Sequence, residues 1–132
     1  MEERYTFKKS ERLNSKILIN QLFSDGKSFF EFPFKVVFKS VDNIDNKSNS
    51  ILISVPKRNF KNATDRNKIK RLIRESYRLN KHILIDDATP EKRNWNIAFI
   101  YNAKSILTFK EIERKIILIL QSIKKQDEIS TF

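Results

Sequence analysis

KRNFKNATDRNKIKRLIRESYRLNK, residues 57–81, is the stretch of this chain on which the rest of the fold depends. It holds ten Lys or Arg against two Asp or Glu, and so carries +8 of the formal net charge of +11. Five of its side chains recur at helical spacing and define one narrow face: Ile69, Leu72, Ile73, Ser76 and Tyr77. We therefore predict a long helix, from about residue 62 to about residue 83, that is anchored by this face.

Cations cover a second face of the same predicted helix. At about 100° per residue they fall together beside the apolar face: Arg66, Lys70, Arg74, Arg78 and Lys81, with Asn67 and Arg71 a little further round. A charge run of mixed sign is ordinarily a solvated face, but like charges four residues apart repel each other. The nearly pure positive sign therefore indicates a polyanionic partner.

Length and composition are typical of one small globular domain. The 132 residues are 39% hydrophobic and include eleven Phe, enough for a modest core. A sequence pI of about 10.0 favours a nucleic acid or an anionic membrane surface as the partner. The narrow apolar face of the helix disfavours the membrane, and no apolar run is long enough for a membrane span. With no Cys and no signal-peptide pattern, the cytoplasm is the expected compartment.

The predicted elements follow the order α-β-β-α-β-α within a single domain over residues 1–132. Residues 1–14 are expected to form an extended arm, and residues 125–132 a frayed tail. A first helix is predicted over residues 14–24, followed by Gly26 at a C-terminal cap that requires a positive φ.

Two strands come next, over residues 32–38 and 51–55, and we expect them to pair as a hairpin. The long helix then opens with a capping-box pattern in Asn62 and Asp65, with Thr64 as a second cap candidate. A third strand is predicted over residues 95–101, before a last helix. A strand, a long helix and a strand in succession imply a crossover, so we predict an α+β fold: a small, partly parallel sheet with its helices on one face.

The start of the long helix carries a recognisable motif. Residues 63–75, ATDRNKIKRLIRE, resemble the signature A-x-x-R-N-R-x-K-R-x-x-R of the protein subunit of bacterial ribonuclease P. The preceding ISVPKR, residues 53–58, is similar to that family's strand ending in S-V-x-K-K/R. The N-terminal part matches the family pattern at a few further positions: Phe7, Arg12, Leu13, Phe23 and Gly26.

Three features depart from the family pattern. Lys68 stands at the second Arg of the signature, which keeps the charge but loses the bidentate fork that suits phosphate. Lys61 stands where the family usually has Gly before the helix, and the loop there is one residue longer.

The resemblance implies both a fold and a function. The fold would be α-β-β-β-α-β-α, a two-layer sandwich similar to the second domain of ribosomal protein S5. The chain would be a subunit of a ribonucleoprotein endoribonuclease, whose RNA subunit uses bound Mg²⁺ to remove the 5′ leader of precursor tRNA. The implied partners are the catalytic RNA subunit and precursor tRNA, with no protein partner required and Mg²⁺ held mainly by the RNA.

Two sets of site residues follow from this resemblance together with the charge pattern. The first would bind RNA: Lys57, Arg58, Lys61, Arg66, Asn67, Lys68, Lys70, Arg71, Arg74 and Arg78. The second would line a cleft for the single-stranded leader: Ile19, Phe23, Phe34, Val36, Phe38 and Ser54. For each Phe in the second set, a place in the core is the alternative.

No catalytic or metal-binding set is predicted on the chain itself. His82 is the only histidine, and a single Gly excludes a glycine-rich phosphate loop. The acidic pairs Asp42/Asp45 and Asp86/Asp87 fit turn chemistry better than a Mg²⁺ site. Two other functions stay open: a ribosomal or DNA-binding protein with the basic helix in a groove, and a stand-alone nuclease, which the missing catalytic set disfavours.

Overall fold

A computed structural model describes residue 7 and residues 9–41, 49–84 and 94–130, with side chains as far as residue 126. It contains three helices and four strands in the order α-β-β-β-α-β-α: α1 (Lys16–Asp25), β1 (Lys27–Glu31), β2 (Phe34–Val41), β3 (Ser50–Ser54), α2 (Ala63–Asn80), β4 (Asn94–Tyr101) and α3 (Phe109–Ser130). Short 3₁₀ turns span Lys9–Glu11 and Lys81–Leu84. The two acidic pairs, Asp42/Asp45 and Asp86/Asp87, lie outside the described residues, as does part of the predicted arm.

The four strands form one sheet in the order β1-β2-β4-β3. Strands β3 and β4 are parallel and joined through α2, which confirms the predicted crossover. The predicted hairpin of β2 with β3 is wrong, because β4 lies between them and pairs with both. The hairpin partner of β2 is instead β1, reached through the tight turn at Phe32-Pro33, whose peptide bond is cis.

The two faces of the sheet are covered by different helices. On one face, β2 and β4 pack their alternate residues against α2 and α3 in the main core. On the other face, Leu22 of α1 packs with Leu13, Val37 and Ala98 in a smaller cluster. The prediction of helices on one face is therefore wrong. The α1-facing rows of β2 and β4 still carry apolar residues, Val37 and Ala98, which need a cover of their own.

Helix α1 begins after Ser15, whose hydroxyl accepts a hydrogen bond from the Leu18 amide at 3.4 Å. It ends at Gly26, which has φ −76° and not the predicted positive value. The reason for glycine here is space: a Cβ would overlap the Leu22 carbonyl oxygen and lie 2.9 Å from that of Phe38. Gly26 thus lets α1 turn directly into β1.

Helix α2 is held by the face that its periodicity predicted. Ile69, Ile73, Ser76 and Tyr77 are buried, and Leu72 is partly buried against the same core. Asn62 is the N-cap residue, but its side chain makes no capping hydrogen bond, so the predicted capping box is not formed.

The N-terminal segment is fastened to the end of α2. Lys81 donates to both carboxylate oxygens of Glu11 at 2.8 and 3.0 Å, and both residues are buried. Beside this pair, the ring of Phe7 contacts that of Tyr77 edge-on, at 6.1 Å between centroids. Burial, and then the Glu11 carboxylate, raises the pKa of Tyr77 far above its ordinary value, so the phenol stays neutral.

Helix α3 closes the main core. The Thr108 hydroxyl accepts a hydrogen bond from the Glu111 amide at 3.2 Å, as the capping-box pattern predicted. The helix continues to Ser130, whereas the sequence suggested fraying over residues 125–132.

Candidate nucleic-acid interface

Most of the cations in residues 57–81 lack an acidic partner within the described part of the chain. Arg78 pairs with Glu75, and Lys81 pairs with Glu11. The other eight form no such pair: Lys57, Arg58, Lys61, Arg66, Lys68, Lys70, Arg71 and Arg74. The protein thus presents a dense positive field along α2 and along the loop that precedes it.

The predicted RNA-binding residues differ in exposure. Six are exposed: Lys57, Arg58, Lys61, Asn67, Lys68 and Arg71. Four are partly buried: Arg66, Lys70, Arg74 and Arg78. All ten lie on α2 or on its leading loop, which places them on one continuous stretch of backbone. Exposed cations on a rigid helix can follow a phosphate backbone without first ordering a loop.

Arg66 has a structural task besides its charge. Its Nη1 donates to the carbonyl oxygens of Phe60 at 2.7 Å and Lys61 at 2.9 Å. The guanidinium therefore ties the basic loop to the first turn of α2, next to the buried ring of Phe60. These hydrogen bonds hold the backbone at Lys61, the position where the family pattern has Gly. They therefore fix the position of the loop relative to α2.

We expect Arg66→Ala to lower the stability of the free protein, by about 1–3 kcal/mol, because two charge-assisted hydrogen bonds to carbonyls are lost. Arg71→Ala removes the same type of side chain from an exposed position on the same helix and should change stability by less than about 0.5 kcal/mol. Urea denaturation of the two variants measures the difference. Equal stabilities would show that Arg66 does not hold the loop.

The solvent side of α2 carries a surface pocket of about 490 Å³. Four cations and two aromatic rings line it, together with Leu72 and Glu75: Lys68, Arg71, Arg74, Arg78, Phe7 and Phe109. The Arg12 guanidinium lies over the Phe7 ring, 5.5 Å from its centroid. Burial, and then the nearby Arg12, lowers the pKa of Arg74, because desolvation and a second cation both disfavour the charged guanidinium.

The predicted leader cleft is partly wrong. Phe34 and Val36 are fully buried and Phe38 almost so, and all three face α2 and α3 in the main core. They cannot join Ile19 and Phe23 of α1, which lies on the opposite face of the sheet. The α1 side of β2 instead carries the alternate residues, among them an exposed Lys35.

Strand register defines a partly exposed row of residues on the α1 side. Lys35 of β2 pairs with Ile100 of β4, which pairs in turn with Ser54 of β3. On each strand, this row is two residues away from the neighbouring row of Val37, Ala98 and Leu52, which α1 covers. We call Ser54, Ile100 and Lys35 the sheet row. It starts three residues before Lys57, so it leads directly into the basic loop.

The comparison with known families decides the assignment. A model of the family described as Ribonuclease P matches residues 7–124. The chain belongs to this ribonuclease P protein family. It is accordingly the protein subunit of a ribonucleoprotein endoribonuclease.

Curated ribonuclease P protein components are similar over most of their length. The one from Porphyromonas gingivalis strain ATCC 33277 is 40% identical over 106 residues, which cover 80% of this chain and 77% of the relative. The one from Clostridium novyi is 34% identical over 116 residues, covering 86% of this chain and 94% of the relative.

Solved ribonuclease P proteins have the same fold. The protein from Thermotoga maritima superposes with a TM-score of 0.68 at 26% identity, over 85% of this chain and 96% of that one. The Staphylococcus aureus protein gives 0.69 at 25% identity, over 86% and 95%. Both agree with the predicted α+β class and with the order of elements.

The described residues of this ribonuclease P protein lack two kinds of feature. They contain no group of three or more His, Cys, Asp or Glu placed to hold a metal ion. None of the helices in the described ranges is long and apolar enough to cross a membrane. His82 lies half-buried in the 3₁₀ turn after α2.

Proposed function

We propose that this chain binds the catalytic RNA through α2 and its basic loop, and holds the 5′ leader of precursor tRNA on the sheet row. The observation that carries the proposal is the set of eight cations that no acid neutralises in the described part of the chain. Such a field attracts phosphates, and each neutralised phosphate releases a counter-ion.

The arrangement of the two surfaces supports a division of labour. The cations of α2 lie in the layer that covers one face of the sheet, and the sheet row lies on the other face. The loop of residues 57–62 connects them, because it leaves β3 beside Ser54 and enters α2. A leader on the row and a catalytic RNA on α2 would therefore contact the same loop from two sides.

The sheet row, together with the exposed ring of Phe23 on α1, suits a single strand better than a duplex. Phe23 on α1 is 47% exposed, and an exposed ring can stack on a base of any sequence. Lys35 supplies a cation for the backbone, and the Ser54 hydroxyl a hydrogen bond. In this proposal Phe23, Lys35 and Ser54 replace Phe34, Val36 and Phe38, which are buried in the main core, as residues of the leader cleft.

The proposed reaction would draw on Mg²⁺, which when bound would supply activation of water and stabilisation of charge on the phosphate. Three carboxylates of the described residues are paired with cations: Glu11, Glu31 and Glu75. We propose that the RNA subunit holds most of the Mg²⁺. We also propose that the complex works in the cytoplasm. A groove-reading DNA-binding role fits less well, because a reading helix exposes varied polar residues and α2 exposes mainly Lys and Arg.

Leader recognition is tested by comparing precursor tRNA with mature tRNA, each bound to the complex of this chain with its catalytic RNA. We expect the wild-type complex to prefer the precursor. Phe23→Ala should reduce that preference by about 1–3 kcal/mol while leaving mature tRNA binding unchanged. Leu118→Ala, which removes an exposed apolar side chain from α3, is the matched control. Equal affinity of the wild-type complex for both RNAs would refute the leader site.

A further inference from the structure

Two phenylalanines at the β1–β2 turn are exposed and not explained by the fold. Phe30 is 56% and Phe32 54% exposed, among the highest values for large apolar side chains in the described ranges. Their ring centroids are 6.5 Å apart with an angle of 56° between the planes. A single exposed ring on a protein surface is normal. Two adjacent exposed rings form an apolar patch, and such a patch favours contact with another flat ring.

Strand register places Phe30 in line with the sheet row. Phe30 of β1 pairs with Lys35 of β2, so its side chain lies on the α1 side of the sheet. The neighbouring Phe29 points the other way and contacts Phe38 in the main core, at 5.7 Å between ring centroids. The row therefore continues across all four strands: Ser54, Ile100, Lys35 and Phe30.

The dimensions and charge of this extended row fit a single-stranded nucleic acid. Neighbouring strands are about 4.8 Å apart, so the row is about 14 Å long, and a stacked strand advances about 3.4 Å per nucleotide. Lys35 lies between the aromatic end and the rest of the row. Glu31, the acid next to the patch in sequence, faces the other side and pairs with Lys115 at 3.2 Å.

We propose that Phe30 and Phe32 form a stacking platform for bases of the 5′ leader that lie furthest from the cleavage site. The leader would pass from the basic loop along the row and end on these two rings. This inference rests on the proposed leader site and adds to it a defined far end. It predicts that leaders too short to reach β1 gain nothing from the two rings, whereas longer leaders do.

A second copy of the chain is the competing occupant. Strand β1 is at the edge of the sheet, and an exposed edge with two Phe could pair with its own copy. The net charge of +11 opposes that association, whereas the same charge favours a polyanion.

Leader length supplies the test, with the complex of the full chain and its catalytic RNA. Precursor tRNAs with leaders of one to ten nucleotides are titrated against wild type, Phe30→Leu, Phe30→Trp and Phe32→Leu. We expect affinity to rise with length, and each Leu variant to lose roughly fivefold or more for the longest leaders only. Phe30→Trp keeps a stacking ring and should retain the wild-type profile. Because Phe30 and Phe32 are exposed, these variants should fold normally, and Leu118→Ala serves as the control.

The outcomes separate this platform from the leader site itself. If wild-type affinity rises with leader length but both Leu variants follow the same curve, the platform is refuted and the leader site stands. If leader length has no effect on the wild type, both are refuted. If sedimentation shows that the free protein is a dimer which Phe30→Leu dissociates, the patch is a self-association surface and the platform is refuted.

Discussion

Replacing Lys68, Arg71 and Arg74 together by Gln should reduce affinity for the catalytic RNA on the order of 100-fold at about 0.15 M monovalent salt. The expectation follows from three charges that have no acidic partner in the described part of the chain and that line the same pocket on α2. If each contacts one phosphate, the slope of log K against log salt should become shallower by roughly 2–3. Filter binding at four or more salt concentrations measures both quantities.

A charge-matched control separates position from net charge. Lys104→Gln, Lys124→Gln and Lys125→Gln together remove the same three charges from outside α2 and its loop. That variant should keep nearly the wild-type slope, because charges beyond the contact surface are screened within about 8–10 Å. Equal losses in the two triple variants would mean that the chain attracts RNA by overall charge and that α2 has no special role.

Glu11→Gln should destabilise the free protein by about 3–5 kcal/mol, a large part of a typical total of about 5–15 kcal/mol. Glu11 and Lys81 are both buried, and their bond ties the N-terminal segment to the end of α2. Removing the carboxylate charge takes from the buried ammonium group the counter-ion that it contacts at 2.8 and 3.0 Å, and water cannot easily replace that counter-ion. Chemical denaturation compares the free energy of unfolding of wild type and variant.

The double variant Glu11→Leu with Lys81→Met tests the cause of that loss. Replacing both charges by apolar side chains of similar size removes the uncompensated charge, and such exchanges are often neutral or stabilising. The double variant should therefore be clearly more stable than Glu11→Gln. A loss below about 1 kcal/mol in Glu11→Gln would mean that the pair is hydrated and contributes as a surface pair does.

Periodicity was sufficient to predict α2 and the strands that flank it. The burial of Ile69, Ile73 and Tyr77 follows from their helical spacing, because a helix in this fold has one core to pack against. The crossover followed from the order of elements, since two parallel strands need a long connection. The RNA-binding set was also concentrated enough in sequence to be located on one helix and one loop.

Strand β1 and the strand order could not be obtained in this way. The sequence KSFFE has no clear alternation, and all five of its residues are exposed or partly buried, because β1 has a neighbour on one side only. The predicted strand over residues 32–38 therefore includes neither Phe29 nor Phe30. Without β1, β2 lacked a hairpin partner and β3 took that place in the prediction. Pairing is a tertiary property that a short edge strand does not reveal locally.

The leader cleft was misplaced for a related reason. Alternation showed that Phe34, Val36 and Phe38 share a face, but not which helix covers that face. The more apolar row of β2 lies in the main core under α2 and α3, and the row that contains Lys35 lies on the α1 side.

In the same way, a run of cations does not show that Arg66 donates to two carbonyl groups. The Glu11–Lys81 pair joins residues 70 positions apart, which no local pattern reports.

Reconstitution with the catalytic RNA of the same organism tests the central claim most directly. Cleavage of precursor tRNA is measured for the RNA alone, the protein alone and the two together, at a Mg²⁺ concentration too low for the RNA alone. We predict that only the combination is active and that it produces the mature 5′ end. Cleavage by the protein alone, or RNA activity that the protein leaves unchanged at every Mg²⁺ concentration, would contradict the account.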